Sequence, residues 1–463
     1  MEHRIRSTAV RCGADHRRHS RHSAHFDQCY SSAMRDEDVT PGRPDGALRF
    51  PAFRWYLGSV AAEAVSDSVV KGVLPIIAVS TLGAGATAVG AINAASLVAF
   101  LVISVPVGAW IERRRRTRVM AWSALARAVV VLAVPLLFVT DRLSVIAVVG
   151  VAAVVGVADV FYTNSSAAVL PALVRPDQVT EAYARRQSVA TGISILSPVL
   201  TSAALRVLTA PLSLVLASAS YLASAWTLRN VPLRAVPGGG GQEQGGRFVR
   251  DLREGLAFVA RHPVVRAVVL TTAALNAAAM FGAGAETVFA LNDLGIDVPT
   301  LVATQAVGAL GGFVASLVAV PLVRRAGIAR TLVGSAVAGA AAVALLPASP
   351  LLGMTPVVAV AVSTSGWSFA VICASVALAG VVPRVTPSHL LGRVMSNMQF
   401  VTLGSMPLAA LLGGAVADLT SPTLALWLWS ALAVAAAAPV VLSPIRSWHA
   451  LPDEERDERP QRR

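Results

Sequence analysis

Charge is scarce in this chain: 14% of its 463 residues are Asp, Glu, Lys or Arg, where a soluble domain carries about 25%. Cysteine is nearly missing too. Cys12, Cys29 and Cys373 are all there is, which makes neither a disulfide framework nor a metal-ligand spacing. Past residue 25 the only histidines are His262, His389 and His449. They are scattered, whereas a membrane enzyme needs His, Asp, Glu or Ser gathered at one interface. No phosphate-binding Gly-rich loop is present, so ATP drive would need a separate subunit. The first 46 residues hold no apolar run, so no cleavable leader is expected.

What the chain has instead is oil. Hydrophobic residues make up 55% of it, and mean hydropathy is +0.64. Apolar segments of roughly 20 residues, the length that crosses a bilayer, recur twelve times between residues 54 and 443. They fall into two groups of six, separated by "VPGGGGQEQGGRFVRDLREG", a flexible Gly-rich linker running into a short amphipathic segment. On that segment Phe248, Leu252, Leu256 and Val259 are expected to share one face along the membrane surface. The fold class this predicts is an all-α polytopic membrane protein with twelve transmembrane helices in two six-helix lobes. The expected organisation is a basic, His-rich tail over 1–47 (with translation starting at Met1 or at Met34) and a first lobe over 48–230. A linker over 231–263, a second lobe over 264–445 and a tail over 446–463 follow. The 1–47 tail is either disordered or, through "HRRHSRHSAH", metal-binding.

The net charge of +13 does not point to nucleic acid, which needs a basic patch on a soluble surface. The arginines sit in short runs after even-numbered spans, as in "ERRRRTR" and "RRAGIAR", while odd-numbered connections such as "TLGAGAT" and "PASPLLG" are nearly free of them. By the positive-inside rule both termini are cytoplasmic. Trp55, Trp110, Trp122, Trp226 and Trp448 fall at the same span ends, where an interfacial belt belongs.

The halves resemble each other: "LSPVLTSAA" in span 5 and "GSMPLAALLGGAVA" in span 11 each place a proline among small residues, a parallel repeat found in two-lobed transporters. With "GAWIERRRRTR" between spans 2 and 3, the chain resembles the major facilitator superfamily. Gly108 matches the glycine of that family's loop signature, Glu112 its usual aspartate, Arg113 the following base and Arg116 its arginine. Arg115 departs from it, standing where a second glycine is common. "RFPAFRWYLGS", "LPALVRPDQVTEA", "REGLAFVARHPVVR" and "LLGRVMSNMQF" are similar to the drug and siderophore (enterobactin-type) exporter branch. The resemblance implies a cytoplasmic gate made by Gly108, Glu112, Arg113, Arg116 and, on span 4, Asp159; alternatively the arginines only orient the chain. It also implies bends at Ser197 and Pro198 in span 5 and at Pro407 in span 11. Ser197 and Ser202 stand where glycines are usual, which weakens the antiporter reading attached to that motif.

Charges inside the spans carry the chemistry, because each costs about 2.5–3.5 kcal/mol to insert. Glu63, Asp67 and Lys71 are spaced by four, and steps of four turn a helix by about 40°, so they share a face of span 1. Asp67 and Lys71 are expected to pair, leaving Glu63 as the unpaired acid. Arg127 in span 3 lacks an acid three residues earlier and is a candidate partner for a span 1 carboxylate. Asn276 and Glu286 in span 7 and Trp367 in span 10 complete the candidate cavity, with Glu286 either lining it or snorkelling to water. The cluster is either a static salt bridge or a proton site facing the cavity.

These readings imply a secondary active transporter, not an enzyme, exporting an amphipathic small molecule by rocking its lobes in exchange for protons. The expected setting is a bacterial cytoplasmic membrane, as a monomer, with a small-molecule substrate and the lipid bilayer as partners. No nucleic acid, no metal and no cofactor beyond the proton gradient is expected. A transporter-like ligand sensor or scaffold, and a facilitator that imports, stand as alternatives.

Overall fold

The computed structural model describes residues 47–111, 114–175, 178–231 and 254–447. The expected basic tail, Glu112, Arg113, Phe248, Leu252 and Trp448 lie outside these residues.

Twelve long helices dominate: α1 (Pro51–Ser80), α2 (Ala86–Ile111), α3 (Arg116–Val139), α4 (Val145–Val169), α5 (Val179–Leu205) and α6 (Ala210–Arg229). The second group is α7 (Pro263–Val288), α8 (Val298–Ala326), α9 (Ile328–Ala348), α10 (Pro356–Ala379), α11 (Ser388–Leu419) and α12 (Pro422–Ala435). Their boundaries follow local chemistry. Proline occupies the first turn of α1, α7, α10 and α12, where its missing N–H is no loss. Ser144, Asp297 and Ser421 cap α4, α8 and α12 by accepting an amide hydrogen bond. The turns after α1 and α7, corresponding places in the two groups, each use a left-handed glycine, Gly83 and Gly295, a conformation costly for any other residue.

Among the described residues eleven of these, with α12 continued to Val441, are long and apolar enough to cross a membrane. The exception is α1, which at 30 residues has the length but carries the charge stripe. The helices pair in the same way within each group. In the first, α1 packs on α5 and α6, α2 on α4, and α3 on α4 and α6; in the second, α7 packs on α11 and α12, α8 on α10, and α9 on α10 and α12. Between groups the main seams are α2 against α11 and α5 against α8.

The apolar cores divide by depth. Around the α1–α2 turn, at the end far from the termini, one cluster takes residues from both groups: Val73, Ile77, Ala86 and Leu214 together with Ala285, Phe289, Leu301 and Leu426. At the end carrying the termini there are two separate cores. One holds Phe53, Tyr56, Met120, Leu170 and Leu228 of the first group; the other holds Val265, Leu332, Leu378 and Ile445 of the second. Residues 254–261 form a helical turn ahead of α7, held by Glu254 to Arg393 of α11 at 2.6 Å. Its Val259 is buried in the second core and Leu256 is exposed, so the single apolar face expected there is divided.

Candidate functional site

Three helices of the first group bring five charges together. Arg127 of α3 is completely buried and pairs with Glu63 of α1. It also reaches Asp67 at 3.3 Å and Asp159 of α4 at 3.6 Å. Lys71 lies 3.3 Å from Asp67 and 3.7 Å from Asp159. The guanidinium is further held over the rings of Tyr162, at 5.0 Å, and Tyr221, at 4.7 Å, a favourable setting for a cation away from water. Tyr221 also donates its hydroxyl to Asp67 at 2.7 Å, and Tyr162 hydrogen-bonds Ser59 at 3.0 Å.

One expectation is corrected here. Glu63 is not the unpaired acid, because Arg127 emerges from α3 at its depth. Asp159, expected at the cytoplasmic gate, faces the charged cluster in this state. It meets Lys71 and Arg127 there, and Arg127 lies eleven residues along α3 from Arg116, roughly 16 Å of helix.

The cluster holds three carboxylates against two cations, so it carries one negative charge too many when every acid is ionised. Its members are graded in exposure: side chains of Glu63, Asp159 and Asp67 are 7%, 15% and 21% exposed, and Lys71 is 59% exposed. Residues 73–79 beyond Lys71 are all buried, so this exposed edge opens toward the end carrying the termini. Lys71 is also the sole lysine of the sequence; every other basic side chain, histidines aside, is arginine. Of the two, only lysine gives up its proton readily.

On the second group a cavity of about 340 Å³ is lined by Asn276, Leu275, Trp367, Val371, Met395 and Met398, among others. Asn276 and Trp367, singled out from sequence, therefore meet on one wall. Trp367 packs edge-on against Trp429 at 5.1 Å, and the Asn276 amide bonds back to the Thr272 carbonyl at 2.8 Å, leaving its oxygen, beside the Thr272 and Ser375 hydroxyls, in a mainly apolar pocket. Glu286 stands apart. Its Oε1 is buried and has no hydrogen-bond partner among the described residues.

The far end is shut by a contact that sequence reasoning missed. Asp418, in the last turn of α11, accepts hydrogen bonds from the amides of Ala86 at 2.7 Å and Thr87 at 2.8 Å, capping α2 from the opposite group. A methyl on Gly85 would strike the Asp418 carboxylate, and one on Gly90 would strike the Ala410 carbonyl, so both positions need glycine for the approach. A signal was present: a carboxylate in its own helix's last turn faces the wrong end of the dipole and is better placed at another helix's N-terminus. The other seam carries a matching bond, from the Ser202 hydroxyl to the Pro299 carbonyl at 2.7 Å.

The remaining expected residues are placed as follows. Gly108 lies in the last turn of α2 with open space beside it, and Arg116 opens α3. Ser197 is buried beside Pro198 inside α5, and Pro407 lies inside α11. Each proline deprives a carbonyl one turn earlier of its donor.

Two groups of six helices with one packing pattern, closed at one end around a central polar site, define a two-lobed secondary transporter. A family model described as Major Facilitator Superfamily matches residues 57–410, and the chain belongs to that superfamily. It is therefore a multi-pass membrane transport protein with a small-molecule substrate, and not an enzyme. No relative among curated proteins matches it. Among solved structures, it is similar to the nucleoside transporter NupG at 13% identity and a TM-score of 0.65, covering 86% of this chain and 99% of that one. A bacterial homologue of the iron transporter ferroportin, in an inward-facing state, gives 15% identity and 0.64, over 84% and 99%. An auto-inhibited POT family peptide transporter gives 15% and 0.66, over 88% and 98%. At these identities the likeness is one of fold.

Proposed function

We propose that the protein exports an amphipathic small molecule, of drug, antibiotic or siderophore-like chemistry, across a bacterial cytoplasmic membrane in exchange for protons. Both termini are cytoplasmic in this reading, which the arginine-rich connections support, and the state described is open to the cytoplasm. The observation that carries the proposal is the excess carboxylate of the Glu63, Asp67, Lys71, Arg127 and Asp159 cluster. A net negative charge held away from water is relieved by taking up one proton. Asp67 is the proton carrier: it touches both cations and Tyr221, and it is the most exposed of the three acids. Across the opening, the apolar wall with its single Asn276 amide suits a cargo that is mostly hydrocarbon with few polar groups. Glu286 is a second buried acid on that side. Gly108, Glu112, Arg113, Arg116 and Asp159 form the latch that closes the cytoplasmic end in the alternate state, and Ser197, Pro198 and Pro407 give α5 and α11 the freedom to bend as the lobes rock.

Purified protein in vesicles with an imposed pH gradient tests this, using a panel of amphipathic dyes and chelators. Export driven by the gradient is expected, with coupling abolished in Asp67→Asn and retained in Glu286→Gln. Flux insensitive to the gradient would make the protein a facilitator, and binding without flux would make it a sensor.

A further inference from the structure

A groove on the outer flank of the first group is unrelated to the transport path. Its volume is about 750 Å³, and it is lined by the end of α2, by α3 and by α4. That size lies within the range of small-molecule sites. Helix α3 is peripheral, packing mainly on α4 and α6, and its outer face is apolar and exposed: Trp122 by 69%, Val129 by 64% and Leu136 by 65%. In a membrane protein that face meets acyl chains. At the rim, at the end carrying the termini, stand Arg114, Arg115 and Arg118, all exposed. Among the described residues no carboxylate pairs with any of the three. Arg114 lies over the Trp110 ring at 5.2 Å, which fixes that side chain at the depth where tryptophan meets headgroups. From Arg118 the groove runs down α3 to Ala126, eight residues or roughly 12 Å into the hydrocarbon. Helix α3 also begins with no side-chain cap, so its first amides face the same rim.

A cationic rim over an apolar channel that opens sideways into the bilayer matches one class of molecule. We propose that this groove binds an anionic phospholipid, with the phosphate on Arg114, Arg115 and Arg118 and one acyl chain laid between α3 and α4 along Trp122, Ala126 and Val157. The floor of the groove includes Ala158 and Ser123, and the Ser123 hydroxyl donates to the Ala158 carbonyl. Ala158 precedes Asp159, so the bound lipid lies directly behind the charged cluster and braces the two helices that carry Arg127 and Asp159.

The test is lipid retention by the full chain, purified in detergent and supplied with dioleoyl phosphatidylglycerol, dioleoyl phosphatidylcholine or glycerol phosphate. Retained lipid is counted by mass spectrometry after dilution. The expected result is stoichiometric retention of phosphatidylglycerol and neither of the others. Since each basic residue near a headgroup adds about a fivefold preference, the triple variant R114Q/R115Q/R118Q should lose at least tenfold of this retention. Because those arginines also orient the chain, a second variant, Ala126→Phe, fills the groove and leaves the rim intact. It should lose retention too, with unchanged fold by thermal melt. Equal retention of the neutral lipid, binding of glycerol phosphate alone, or full retention in Ala126→Phe would each overturn the proposal.

Discussion

At the far end the two helix groups share one apolar core and are pinned by a carboxylate capping a helix of the other group. At the end carrying the termini each group keeps its own core, and the first group's charged cluster grades from buried Glu63 and Arg127 to exposed Lys71. The difference teaches where the energy of the state resides. Its closure is made of small, local contacts, while its opening exposes groups that are costly to bury alone. A carrier needs both ends to exchange these roles, so neither can be overwhelmingly stable.

The comparison breaks most completely at Arg127. Removing one partner of a buried ion pair costs about 3–5 kcal/mol, so Arg127→Ala should collapse the first group's wall. The expected readout is a large fall in melting temperature or in membrane yield, with Arg127→Lys intermediate because it keeps the charge and loses the planar fork. At the closed end, Asp418→Asn weakens the cap by about 1 kcal/mol, a fivefold shift toward the far-open state. A cysteine at Ala417, buried in the seam, in a background without the native cysteines, should label about fivefold faster with maleimide. If the rate is unchanged, the apolar core alone holds that end. The mildest probe is chemical. As the sole lysine, Lys71 is the one side chain an amine-reactive ester can modify, and peptide mapping separates it from the N-terminal amine. Its labelling should slow in Asp418→Asn, as the opening is closed for part of the time; faster labelling would reverse the assignment of open and closed ends.

Most of the fold was legible because bilayer-length apolar runs and arginine-rich breaks are written in composition, and the pairing of the halves in a few shared prolines. The charged site was half legible. Spacing put Glu63, Asp67 and Lys71 on one face, but which residue of another helix arrives beside them depends on relative depth, so the approach of Asp159 to Lys71 was not legible. Tyr162 and Tyr221 were missed, although tyrosine is rare enough in this chain, at five residues, to have been a cue. The closed seam was nearly invisible, because alanine and glycine are spread along every span and have no chemistry to mark one of them as a contact.

That seam has one more consequence. Apart from Asp418, its closest approaches at the α2–α11 contact are between Ala86, Gly90, Ala410 and Gly414, side chains with no rotamers to lose. Bringing them together therefore restricts almost no side-chain motion, and parting them releases almost none. The seam can open and reclose with little entropy change in either direction, which suits a surface that must be remade on every turnover.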